Sequence, residues 1–197
     1  HEVSVAQYLE FLAAGEAGVG EVIDVTRRAE LAERLARLAP ELPVTGVTQA
    51  EAEAYARWAG KELPTYLHWE YAVRGPDARP FSFLGVAPLA ELGQGVNVGT
   101  DAPWPVTRGL DRTADTGLFD LCSNVAEWTR TFDTGRLSSR ASGELLAPGR
   151  GAASERAYAV GGSFARPAFH FGVVTRARGA SDSIGFRCFL SSACVEA

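Results

Sequence analysis

Apolar and polar positions keep a helical rhythm through the first third of the chain and an alternating one near its end. Ser4 followed three residues later by Gln7 has the spacing of a capping box, in which each side chain satisfies a backbone N–H at a helix start. Val5, Tyr8, Leu9 and Leu12 then fall on one helical face, and Gly15 ends it. Thr26 is the expected cap of a second helix with Leu31, Leu35 and Leu38 on one stripe, stopped by Pro40. A short extended stretch, 43–47, leads to a second capping box, Thr48 with Glu51, and to a helix carrying Ala52, Tyr55, Ala56 and Ala59 before Gly60. Thr65 caps a fourth helix, in which Leu67 and Tyr71 are expected to turn inward, with Trp69 as a further candidate, before Arg74 and Gly75.

Towards the end of the chain, 160–164 and 184–190 alternate apolar with small or polar residues, as strands covered on one face do. Between them, residues 165–183 keep neither a two-residue nor a 3.6-residue period. Aromatic, imidazole, guanidinium, carboxylate and hydroxyl groups stand side by side there. Two readings are open, a binding surface carried between two strands or an irregular surface loop. Residues 76–115 are rich in Gly, Pro, Asn, Asp and Thr and also lack a sustained period. A compact domain holds that much irregular chain only when its loops pack on one another or hold ions or ligands.

At 197 residues the chain is expected to form a single domain, 1–197, large enough for a core of its own. Its net charge of -5 argues against general nucleic-acid binding, and no apolar run is long enough for this domain to insert into a membrane. Cys122, Cys188 and Cys194 are odd in number and lack C-x-x-C spacing, so they are read as reduced thiols. His1, His68 and His170 are too scattered to suggest a multi-histidine metal site. His68, in the first turn of its helix, reads as a surface or packing residue.

The motif P-V-T-G-V-T-Q-A-E-A-E-A-Y-A-R-W-A-G-K-E-L-P-T from Pro43, with W-E-Y-A-V-R-G from Trp69 and G-L-F-D-L-C-S-N-V-A-E-W-T from Gly117, is followed by V-G-G-S-F from Val160 and I-G-F-R from Ile184. In this order the motifs resemble the formylglycine-generating-enzyme-type domain over nearly the whole chain. The resemblance implies an α+β, C-type-lectin-like fold of few helices around small antiparallel sheets, with high loop content. It also implies that the family's first strand is missing, since His1 opens at what looks like the family's first helix.

The resemblance does not carry the activity with it. In the family's oxidases two cysteines that bind copper stand two and seven residues after the phenylalanine of G-G-S-F, where this chain has Arg166 and Phe171. A guanidinium and a phenyl ring cannot act as thiolates, so no formylglycine formation is expected and no cofactor is required. The family's sulfoxide synthases need a further helical domain for their iron, which this sequence lacks. Calcium is held in the enzymes by residues whose counterparts are Asp120, the carbonyls of Ser123 and Val125, and Glu127. Hard oxygen ligands suit that ion, while loop amides could engage the two carboxylates instead, and both readings are open.

The chain most resembles another branch of the family, the variable proteins of diversity-generating retroelements. There a C-terminal variable segment, here within 160–190, is diversified through randomised adenines that cannot produce Lys, Glu, Gln, Met or Trp. None of the five occurs in 165–183. The resemblance implies a non-catalytic protein that binds an unknown protein or other macromolecular ligand through Ala165, Arg166, Pro167, His170, Phe171, Thr175, Ala177, Arg178, Ala180, Asp182 and Ser183. A degenerate enzyme relative serving as sensor or scaffold, or an oxidoreductase lacking its metal-binding partner domain, are the alternatives.

Overall fold

The structure, a computed structural model, describes residues 1–15, 22–83, 95–133, 156–166, 175–177 and 179–190. These residues form four helices, α1 (Val5–Ala13), α2 (Val25–Leu35), α3 (Gln49–Trp58) and α4 (Tyr66–Arg74). Four strands follow, β1 (Ala126–Asp133), β2 (Arg156–Val160), β3 (Thr175–Ala177) and β4 (Ile184–Gly185). Both capping boxes form, Ser4 with Gln7 and Thr48 with Glu51. Thr65 caps α4 by accepting from the His68 N–H. This is the α+β arrangement expected, with much of the described chain in loops.

Three local expectations are corrected. Asp24, not Thr26, caps α2, because its carboxylate accepts from the Arg27 N–H at 2.9 Å. Leu31 and Leu35 are buried, but Leu38 lies past the end of the helix and is 38% exposed. On α4 the inward residues are Trp69 and Val73, while Leu67 and Tyr71 are 49% and 67% exposed. Leu67 and Tyr71 share one side of the helix, as do Trp69 and Val73, so only one of these i,i+4 pairs faces the core.

The sheet runs β3-β2-β1-β4, antiparallel except for the β1–β4 pair. β1 pairs with β2 through Glu127↔Val160 and Trp128↔Ala159, then shifts register before Phe132↔Ala157. One core cluster lies between the sheet and α1 to α3, and a smaller one packs Trp69 and Val73 of α4 against Tyr158, Val160, Leu121 and Cys122. Tyr8 and Tyr55 meet Phe186 with ring centroids 6.1 and 5.3 Å away, placing I-G-F-R inside the larger cluster. Phe186 is fully buried.

The first residues brace that motif. The Val3 N–H donates to the Phe186 carbonyl and the Val44 N–H to the Val3 carbonyl, each at 2.9 Å, so one residue bridges two distant segments. Gly185 allows the close approach, since a Cβ there would stand 2.6 Å from the Val44 oxygen. The expected strand over 160–164 stops at its first residue. Gly161 turns the chain out of the sheet with φ +88°, and residues 161–164 remain buried as irregular backbone.

Candidate functional site

The segment singled out in the sequence leaves the core abruptly. Phe164 is buried, Ala165 is exposed and Arg166 is half-buried. At the other end Gly179, Ala180 and Asp182 are exposed and Ser181 and Ser183 half-buried, before Ile184 is buried again. Ala177 is half-buried and packs against the larger core cluster, and no residue of 165–183 with a described side-chain environment is fully buried. Pro167, His170, Phe171 and Arg178 lie outside the described residues, as does the side chain of Thr175.

Both ends are fastened by backbone. The Phe164 N–H donates to the Asn124 carbonyl and its own carbonyl accepts from the Thr100 N–H, both at 2.7 Å. The Ser181 carbonyl accepts from Gly46 at 2.9 Å, and the Ser183 carbonyl from Ala126 at 3.1 Å. Residues 175–177, expected to be irregular, form β3 and pair with 157–159 of β2 as an edge strand. Pairing through main-chain groups makes little demand on the side chains there, so periodicity gave no warning of it.

Beneath the launch point lies a buried polar cluster. Asn124, in the left-handed conformation with φ +62°, is its hub. Its side-chain amide donates to Glu2 Oε1 at 2.9 Å and to the Trp104 carbonyl at 3.2 Å. Its Oδ1 accepts from the Trp104 N–H at 2.8 Å and from the Asn97 side chain at 2.9 Å. Reading the sequence missed Asn124, Asn97 and Glu2 as supports of the segment. The available signal was Asn124 itself, a residue that tolerates the left-handed region inside a motif otherwise noted for its carboxylates.

Of the proposed calcium ligands, Asp120 engages a loop amide, as the alternative reading expects, while Glu127 engages Arg187. Glu127 is fully buried, and Arg187 Nε reaches its two oxygens at 2.8 and 2.6 Å while Nη2 reaches Oε1 at 2.6 Å. The same Nη2 donates to the Phe119 carbonyl at 2.7 Å. Asp120, also buried and with φ +58°, accepts from the Thr107 N–H at 3.2 Å. Ser123 and Val125 are buried beside them, and the Ser123 hydroxyl donates to Asp111 at 2.8 Å. A calcium ion held by both carboxylates would have to take Glu127 from Arg187, so Glu127 as it stands is not free to serve that ion.

Burial shapes the titration of this cluster. It pushes Asp120 up to about 6, with the nearby Asp111 carboxylate adding to the effect. It raises Glu2 well above the usual carboxylate range, with Asp120 second, and raises Asp111 despite bonds from Ser82 and Ser123. Cys122 and Cys188 are free thiols, each pushed up to about 12 mainly by burial. Neither is a ready thiolate at neutral pH, and neither stands where the oxidase cysteines would.

The whole pattern, from the Ser4 capping box to the buried I-G-F-R, matches one family description, the sulfatase-modifying factor enzyme 1-like domain, over residues 1–192. The chain belongs to this family. Its relatives include enzymes and a protein described as inactive. The formylglycine-generating enzyme of Mycobacterium tuberculosis is 38% identical over 100 residues, covering 45% of this chain and 33% of the enzyme. Inactive C-alpha-formylglycine-generating enzyme 2 of Mus musculus is 31% identical over 162 residues, covering 77% of this chain and 50% of that protein. The chain thus spans half or less of the length of these relatives. Among solved structures, Treponema denticola variable protein 1 superposes with a TM-score of 0.60 at 18% identity, covering 95% of this chain and 81% of that one. The fold of this family member is therefore the one its motifs imply.

Proposed function

We propose that this chain is a non-catalytic ligand-binding protein whose contact surface is carried by residues 165–183 and diversified by a retroelement. The observation that carries the reading is the change of environment at the two ends of the segment. Phe164 and Ile184 are buried, while every residue between them with a described side-chain environment is exposed or half-buried. A segment whose side chains are replaced wholesale cannot supply the core, where one large-to-small change costs about 2 to 5 kcal/mol. Here the backbone of Asn124, Thr100, Gly46 and Ala126 holds the ends, and β3 pairs through its main chain.

Further support comes from the residues in place of the oxidase cysteines and from the likeness in fold to a protein named as variable. Arg166 and Asp182 offer directional polar contacts, as binding surfaces do. The ligand is read as a protein or other macromolecule.

Sequencing the coding region from many isolates tests this directly. Variation should be confined to codons within 165–183, with Phe164 and 184–187 constant and a nearby template repeat carrying adenines at the varied positions. A uniform segment with no template would overturn the reading. The chain would then be a degenerate enzyme relative acting as sensor or scaffold, a role favoured by its similarity to the inactive mouse protein.

A further inference from the structure

We propose that the groove between α1 and α2 takes α2 of a second copy of the chain, the two helices lying parallel and in register, so that the protein pairs into a dimer. The inference goes beyond the ligand-binding reading and does not rest on it.

α2 carries two apolar stripes where a helix on the surface of a domain needs one. Leu31 and Leu35 form the first and are fully buried in the larger core cluster. The second is Val25, Ala29, Ala32 and Ala36. Of these, Val25 is 65% exposed, Ala29 and Ala36 are exposed and Ala32 is half-buried. With Leu9 and Leu12 of α1 they line an open groove of about 450 Å³.

The spacing of the second stripe indicates what fits it. Positions 25, 29, 32 and 36 recur at intervals of four, three and four, as the seam of a coiled coil does. Small side chains on that seam let two helix axes come close together. In the same heptad Arg28 and Glu33 flank the seam on opposite sides. Arg28 lines the groove, is half-buried and makes no ion pair with a described residue. Glu33 is exposed, and Arg37 engages its Oε1, which leaves Oε2 open to a guanidinium from outside.

These two charges select both the occupant and its direction. When two copies of α2 lie parallel, position 28 of each meets position 33 of the other, five residues on, so Arg28 faces Glu33 twice. An antiparallel pair would set Arg28 against Arg28 and Glu33 against Glu33. The other charged groups near the groove are engaged elsewhere. Arg27 bonds to Glu51 and Arg34 to the Thr45 carbonyl, Asp24 caps the helix, Glu30 lies near Arg27, and Glu10 of α1 lies near Tyr55. A dimer would carry two copies of residues 165–183, so a ligand with repeated epitopes would be held by avidity.

Sedimentation equilibrium over a dilution series tests the pairing. The mass should fall from dimer to monomer as the chain is diluted, and added salt should favour the monomer. Ala29→Glu places a carboxylate in the seam and Arg28→Glu sets like charges at both flanks, so each should raise the dissociation constant at least about tenfold. Melting curves of the dilute, monomeric proteins should match the original, because Ala29 is exposed and Arg28 half-buried. Arg28→Glu/Glu33→Arg in one chain restores opposite charges across the seam and should recover most of the affinity. If Arg28→Glu proves unstable, Glu33→Arg, at an exposed position, should raise the constant alike. A chain that stays monomeric at every concentration overturns the proposal and leaves the groove to a helix of another protein. A dimer indifferent to Ala29→Glu, or one that the double reversal does not restore, overturns it as well.

Discussion

Arg187 engages both carboxylate oxygens of Glu127 at 2.6 to 2.8 Å, with the glutamate side chain fully buried. Two charges removed from water hold together only while both are present. Arg187→Ala or Glu127→Ala should therefore cost about 3 to 5 kcal/mol in urea unfolding, since either leaves a buried charge alone. Replacing both by apolar residues of similar volume should cost much less. Equal losses for the single and paired replacements would show that the ion pair is not what the singles remove.

Arg166→Ala with Asp182→Ala should change stability by no more than about 0.5 kcal/mol, as surface changes do. Phe186→Ala, in the aromatic cluster with Tyr8 and Tyr55, should cost about 3 to 5 kcal/mol. Chemical denaturation curves compare them. A surface pair as costly as Phe186 would remove the physical basis for a replaceable segment.

Folding should weaken as the pH rises from 5 to 8. Glu2 and Asp120 have raised proton affinities in the folded protein, so the stability they contribute is fully present below the ordinary carboxylate range. That contribution is lost as pH climbs through about 6, the value for Asp120. Thermal melts across this range should show the fall, and Glu2→Gln with Asp120→Asn should flatten it. A midpoint that rises with pH would contradict the sign.

Exhaustive chelation should leave the melting temperature unchanged, because Glu127 is neutralised by Arg187. An ion bound only by the native state would stabilise it by mass action. A fall on chelation, reversed by calcium, would mean that the pair opens to admit the ion.

No oxygen-dependent conversion of a cysteine peptide to formylglycine should occur, with or without copper. Mass spectrometry of the peptide checks this. A product that depends on the chain would refute the reading of Arg166 and Phe171.

What the sequence by itself determined was local or carried by motifs. Ser4, Thr48 and Thr65 cap helices because their hydroxyls reach amides only three residues away, a relation that spacing alone reveals. The ordered motifs carried the family and the fold. Only the tertiary structure decided which face of α4 is inward, because Leu67 and Tyr71 are as apolar as Trp69 and Val73 and the choice depends on what packs above them. It also decided that Glu127 meets Arg187, sixty residues away, and that Asn124 joins Glu2, Trp104 and Phe164. Such partners leave no period in a chain, since a hydrogen bond between distant segments depends on geometry that exists only once the core has brought them together.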